Sequence, residues 1–311
     1  MAAAASGGAT DSGYLDHVER QQGLPFADFW EYGDPAYALM NWFGGNVWGH
    51  IYLVNTVSAL LFCWGLLAFC RSQPRPWLVL AVSMPYLVIV VAMGYTRQGV
   101  AIGFAMLSIV ALLRGYFWRF IGWISVAALF HKSAAVLVPI ALFSAGERRW
   151  LKLVGVVITG VLLFLLLVQE AVDVLVAGYI EAEYQSAGAG IRIGMNALAA
   201  LAFLIVRKRL VLPRHVRSFW TWMSLSSLLF VALLLISPSS TAVDRVALYW
   251  IPLQLFVWGR LPDALGRPHR KNQTLVLGVL SYSAAVLFTW LFFSDHSSDW
   301  IPYQFYPLQW L

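Results

Sequence analysis

Apolar residues run along this chain in blocks of about twenty, separated by short stretches where arginine, proline and glycine concentrate. A helix of that length crosses about 30 Å of hydrocarbon. The blocks fall at 51–70, 77–94, 98–113, 151–168, 188–206, 218–237, 243–259 and 273–293, with a longer one at 117–144. The pattern predicts an all-α polytopic transmembrane helix bundle of about nine to ten spans. Pro85 and Pro252 lie inside blocks, where each removes a backbone donor and is expected to distort its helix.

Residues 1–50 hold no span. Their alanine-rich start reads as a loose tail, and Asp11, Asp16, Glu19, Asp28, Glu31 and Asp34 stand against Arg20 alone. No basic segment leads into an apolar core, so no cleavable secretory signal is expected. Residues 35–50, with Tyr37, Met40, Trp42, Phe43 and Trp48, read as a segment lying at the headgroup level. The chain thus divides into an acidic tail with an interfacial segment at 1–50, a transmembrane region at 51–293 and a short tail at 294–311.

Loop charge sets the orientation. Basic residues cluster at Arg71 and Arg75, at Arg114 and Arg119, at Arg148, Arg149 and Lys152, from Arg207 to Arg217, and from Arg260 to Lys271; the positive-inside rule puts these on the cytoplasmic side. The acidic tail, the loop with Glu170, Asp173, Glu181 and Glu183, and the end with Asp295 and Asp299 then face out. Residues 171–187 carry apolar positions at helical spacing and read as an amphipathic surface helix. This alternation requires 120–146 to leave the cytoplasmic side and return to it as a broken helical hairpin with its apex at His131-Lys132-Ser133. A single long tilted helix over 117–144 is the alternative. A broken helix is tolerated only where protein or a wet cavity surrounds the turn.

Composition agrees with this reading. Of 311 residues, 60% are hydrophobic and 12% charged, with a mean hydropathy of +0.71, too few charges to cover a soluble globule of this size. The net charge of +6 and pI near 9.4 come from topogenic loop clusters, so nucleic acid is not an expected partner. Cys63 and Cys70 share one apolar block and read as packing residues. The sequence has no phosphate-binding glycine loop, no Gly-x-Ser-x-Gly elbow, no His/Cys cluster at metal spacing and no Asp-x-Asp pair. No metal site and no cofactor is expected, and any chemistry must use side-chain cations and weak bases.

Arg97, Lys132 and Arg245 lie at span ends close to hydrocarbon, where a cation is costly and usually functional. They suggest an anion site suited to a phosphate-bearing lipid. The structural alternative is pairing, Arg245 with the adjacent Asp244 and Arg97 with an acid of the 170–183 loop. Gly99 and Gly103 would let a neighbouring backbone approach. His131 is a candidate general base, since an imidazole's ordinary pKa of about 6.5 suits that task, or else it bonds a carbonyl freed by the helix break. Asp244 is a base or an ion-pair partner. Tyr249 shares a helix face with Arg245.

The stretch Gly94-Tyr95-Thr96-Arg97-Gln98-Gly99-Val100-Ala101, then Phe130-His131-Lys132-Ser133-Ala134, then Asp244-Arg245 with Tyr249, and Asp34-Pro35-Ala36-Tyr37 upstream, resembles the EpsG family of Wzy-like bacterial polysaccharide polymerases. Members carry a further span before the acidic-aromatic stretch; here an acidic segment stands in its place. The resemblance implies a multi-pass enzyme of the bacterial inner membrane with its active site on the periplasmic side, the side to which the loop charges assign both tails. It transfers a growing glycan from undecaprenyl pyrophosphate to a lipid-linked repeat unit, alongside chain-length regulators or export proteins. For such a transfer His131 or Asp244 is expected as the base, with Arg97, Gln98, Lys132, Ser133, Arg245, Tyr249, Asp34 and Tyr37 binding substrate, Tyr37, Trp42 or Tyr249 by stacking on sugar rings. A transporter or flippase of the same lipids, a ligase of finished glycan, and a scaffold of an export machine are the competing readings.

Overall fold

The computed structural model describes residues 9–144, 188–237, 240–267, 270–294 and 297. The alanine-rich start, the span expected at 151–168, the amphipathic segment at 171–187 and nearly all of the C-terminal tail lie outside the described residues. Among the described residues there is no strand.

Residues 9–46 form three short helical elements: α1 (Ala9–Glu19), a 3-10 turn (Phe26–Tyr32) and α2 (Pro35–Asn46). Pro35 opens α2, where its missing N–H has no helical partner to lose. Asn46 ties the group together, donating to Gln21 O at 2.7 Å and accepting the Gly23 N–H at 2.6 Å, while Trp42 Nε1 donates to Leu24 O at 2.8 Å. The group packs on α3 (His50–Arg71).

Among the described residues five helices are long and apolar enough to cross a membrane: α3, α5 (Thr96–Leu113), α8 (Ala189–Val206), α9 (Arg214–Ile236) and α12 (Gln273–Phe293). Shorter apolar segments complete the bundle. α4 (Pro76–Ser83) runs on into a wide-wound π-helical stretch (Met84–Ala92) with Pro85 as its second residue, whose absent N–H breaks the ordinary i to i−4 ladder. At the other internal proline, α10 (Ser240–Ala247) tightens to a 3-10 turn (Leu248–Trp250) before α11 (Ile251–Leu265), with Pro252 in its first turn. Both prolines therefore change the winding of their helices, as the sequence led one to expect.

α5 is the axis of the bundle. From Gln98 to Leu112 every residue is buried, which is how a helix apolar all round must sit. It lies between α3 and α6 (Phe117–Phe130), with the π-helical stretch against its start. A Cβ on Gly103 would come within 2.9 Å of Phe62 Cα, one on Gly65 would strike the Gly103 carbonyl, and one on Gly99 would meet Ala92 Cα at 3.1 Å. The small residues of α5 thus permit backbone contact on two sides. Elsewhere Trp220 stacks on Phe256 at 4.1 Å, and Trp250 Nε1 donates to Met223 O at 2.9 Å, joining α9 to the 3-10 turn.

The long apolar segment at 117–144 is not a single helix. α6 stops at Phe130, His131 is extended (φ −158°, ψ 110°), and a 3-10 turn (Lys132–Val136) leads into α7 (Leu137–Ser144), which packs on α9. The unbroken-helix alternative is thereby corrected, and the break falls at the expected apex.

At one end of the bundle the turns are stitched together by basic residues. Arg75 pairs with Asp263 at 2.7 Å and donates to Arg270 O and Lys271 O; Arg260 bonds Gln73; a His215 ring nitrogen lies 3.0 Å from Leu113 O. The starts of α5, α8 and α10 lie at the opposite end.

Candidate functional site

At that opposite end the bundle gathers the residues that the sequence marks. Arg97 sits in the first turn of α5, where the helix dipole already places partial positive charge and a further cation is disfavoured unless an anion balances it. Here the anion is Asp34, just before α2, whose Oδ2 is 3.2 Å from Arg97 Nη1. Arg97 remains 36% exposed and Asp34 10%. The alternative partner, an acid of the 170–183 loop, lies outside the described residues; among those described the contact is with Asp34.

The helix break is held from two sides. Ser133 N–H points at His131 Nδ1 at 3.4 Å, and the Lys132 N–H is directed at the Asp34 carboxylate. These are amide groups that a helix start leaves without intrahelical partners. His131 lies in the fields of Arg97, Arg245 and Lys132, and its ring is 6.4 Å from that of Tyr249. Residues far apart in sequence, Arg97, Lys132 and Arg245, thus all act electrostatically on one imidazole.

Arg245 does not pair with its neighbour Asp244. Its guanidinium lies over the Tyr95 ring, 4.2 Å from the centroid, a cation–π contact that holds the charge while leaving its N–H fork for other acceptors. Asp244 turns away and pairs with Arg192 of α8 at 2.7 Å, with the Tyr86 hydroxyl beside the Arg192 guanidinium. Successive helical residues point in different directions, so this correction has a simple geometric cause. The Arg192–Asp244 pair is deeply buried, at 13% and 4% exposure. Asp244 is therefore committed to an ion pair, and the base role assigned to it is not supported.

Side-chain amides fix α10. Gln98 Nε2 donates to Arg245 O at 2.6 Å, Asn196 Nδ2 to Ala247 O at 2.9 Å, and Gln254 Nε2 to Asn196 Oδ1 at 2.7 Å. They serve carbonyls beside the irregular winding at 248–250, and they set where Arg245 stands. Gln98 is thus a support for Arg245 rather than a free ligand group.

Tyr37 and Tyr249 are 3% and 0% exposed, so neither offers a ring face to a sugar, and the stacking expectation is corrected for both. Their hydroxyls are buried instead. Tyr249 is in the fields of Asp34 and Arg97, and Tyr37 in that of Arg97 with Tyr14 of α1 edge-on at 6.2 Å. The Tyr37 and Tyr249 hydroxyls and Gln98 Oε1 are buried and make no hydrogen bond within the described residues. Unsatisfied buried polar atoms cost roughly 1–3 kcal/mol each and are usually kept for a reason. Tyr14, Tyr95, Arg192, Asn196 and Gln254 were not singled out as site residues; an amide or guanidinium inside an apolar block was the available clue.

Among the described residues no three His, Cys, Asp or Glu side chains come close enough to share a metal ion. Around His131 the described charges are three cations, Arg97, Lys132 and Arg245, against the one carboxylate of Asp34. Such an excess of fixed positive charge at a helix end suits a polyanion more than it suits packing.

Fold and candidate site together define an integral membrane protein of helices with a cluster of cations and buried hydroxyls at one end of the bundle. The chain belongs to the EpsG family, whose model matches residues 10–305, and so falls among the membrane polymerases of polysaccharide biosynthesis. No curated protein and no solved structure matches it.

Proposed function

We propose that this protein extends an exopolysaccharide, capsule or O-antigen chain at the periplasmic face of the bacterial inner membrane, transferring the growing glycan from undecaprenyl pyrophosphate to a lipid-linked repeat unit. The observation that carries this reading is that Arg97, Lys132 and Arg245 all act on His131 at one end of the bundle, opposite the end where the loop arginines are concentrated. The basic end is cytoplasmic by the positive-inside rule, so the site faces out.

A sugar hydroxyl of the acceptor attacks the anomeric carbon of the donor glycan, and the bond to the diphosphate oxygen breaks with its electron pair. The departing lipid diphosphate gains one negative charge. Fixed cations in a site of low dielectric stabilise that charge as it develops, which lowers the barrier without a metal. Arg97 and Arg245 supply two-pronged donors to phosphate oxygens, Lys132 a point charge, and the Ser133, Tyr37 and Tyr249 hydroxyls further donors.

Replacing Arg97 by Ala is expected to abolish long polymer while the protein remains in the membrane, and deleting the protein to accumulate a single lipid-linked repeat unit. Near-normal polymer from Arg97→Ala would remove that residue from the site. Movement of lipid-linked units by the purified protein without elongation would make it a transporter instead.

A further inference from the structure

The reaction needs a group to take the acceptor's proton, and the two residues the sequence favours are both engaged. Asp244 is held by Arg192 at 2.7 Å. His131 Nδ1 faces the Ser133 N–H, so in the neutral ring the remaining nitrogen, Nε2, carries the hydrogen and acts as a donor. An imidazole arranged this way gives a hydrogen bond to a phosphate or leaving oxygen and does not accept a proton from an alcohol.

We infer that Asp34, on the polymerase reading given above, is the catalytic base. Its carboxylate stands 3.2 Å from Arg97, with the Lys132 N–H directed at it and the buried Tyr249 hydroxyl in its field. It belongs to the segment just before α2, and its side chain is 10% exposed beside the more open Arg97 at 36%. A diphosphate arriving at Arg97 competes for the guanidinium that Asp34 holds, so binding of the donor frees the carboxylate for its task. The acceptor oxygen then forms its bond to the anomeric carbon, the old bond's electrons leave on the diphosphate, and the hydroxyl proton passes to Asp34, which later returns it to water.

The groups facing Asp34 are Arg97 from α5, Lys132 from the 3-10 turn after the break, and Tyr249 from the turn before α11. Burial raises the Asp34 carboxyl above its ordinary value of 3.8, while Arg97, Lys132 and the Lys132 N–H pull the other way. A carboxylate moved upward is a better proton acceptor near neutrality. Its ionised form is the active one, so transfer should fall as pH drops through its pKa.

The test uses the full chain in nanodiscs, with lipid-linked repeat units extracted from a strain lacking this protein as substrate and undecaprenyl diphosphate as the binding probe. Asp34→Asn is expected to lower the turnover rate by about 10²-fold or more with KM little changed, and to bind undecaprenyl diphosphate as tightly as wild type or more so. Asp34→Glu should retain measurable turnover with its acid limb shifted. Wild-type turnover in Asp34→Asn overturns the role while leaving the polymerase reading in place. Loss of probe binding together with turnover overturns it too, by making Asp34 a structural partner of Arg97. A wild-type protein that binds the probe yet never elongates ends the polymerase reading, and the base role with it.

Discussion

Two carboxylates near the site have opposite fates, and neither was decided by its neighbours in sequence. Asp244 precedes Arg245 but pairs with Arg192 in another helix, since i and i+1 side chains on a helix diverge. Asp34 and Arg97 meet across 63 positions, a pairing that no local pattern announces. What was legible at this scale was which cations would be placed at span ends, because charge in an apolar block stands out; their partners depend on packing and were not. Asp34 also gives a pH prediction. Its folded-state pKa lies above the unfolded value, so the folded protein favours the protonated form: that contribution to stability is fully present below 3.8 and is lost as pH rises through the folded value. Asp34→Asn should therefore melt higher than wild type at pH 7, with the gap closing as the pH is lowered toward 3.8. A lower melting temperature for the variant at pH 7 would contradict this balance of burial over ion pairing.

At the scale of elements, the apolar blocks located the described spans well, since a run of about twenty apolar residues has few other fates. The prolines marked changes of winding, and His131 marked the break. The sequence did not foretell that amide side chains from α5, α8 and α11 would hold α10 in place. Such bonds depend on which carbonyls an irregular helix leaves open. The α3–α5 contact supports the site from below, because α5 carries Arg97 and Gln98 at its start. Gly103→Val puts methyl groups where Phe62 Cα approaches within 2.9 Å of an added Cβ. It should destabilise the fold by about 1–3 kcal/mol, read as a lower melting temperature in detergent, and should shorten the polymer. Gly122, with nothing near a added Cβ, provides the control: Gly122→Ala should leave both unchanged.

For the whole molecule, the charge distribution makes the orientation testable. Trp48, 76% exposed, stands in the turn between α2 and α3 at the site end, and Val211, fully exposed, in the turn between α8 and α9 at the basic end. With Cys63 and Cys70 replaced, Trp48→Cys should react with a membrane-impermeant maleimide in cells whose outer barrier is opened, while Val211→Cys should react only after the inner membrane is breached. The reverse pattern would put the cationic site in the cytoplasm. If Arg97 and Arg245 receive a lipid diphosphate, the affinity of the purified protein for undecaprenyl diphosphate depends on both. Each of Arg97→Ala and Arg245→Ala should weaken binding by about tenfold or more, as loss of a charge-assisted bond worth roughly 1.5–3 kcal/mol requires. Affinities equal to wild type in both variants would contradict the account.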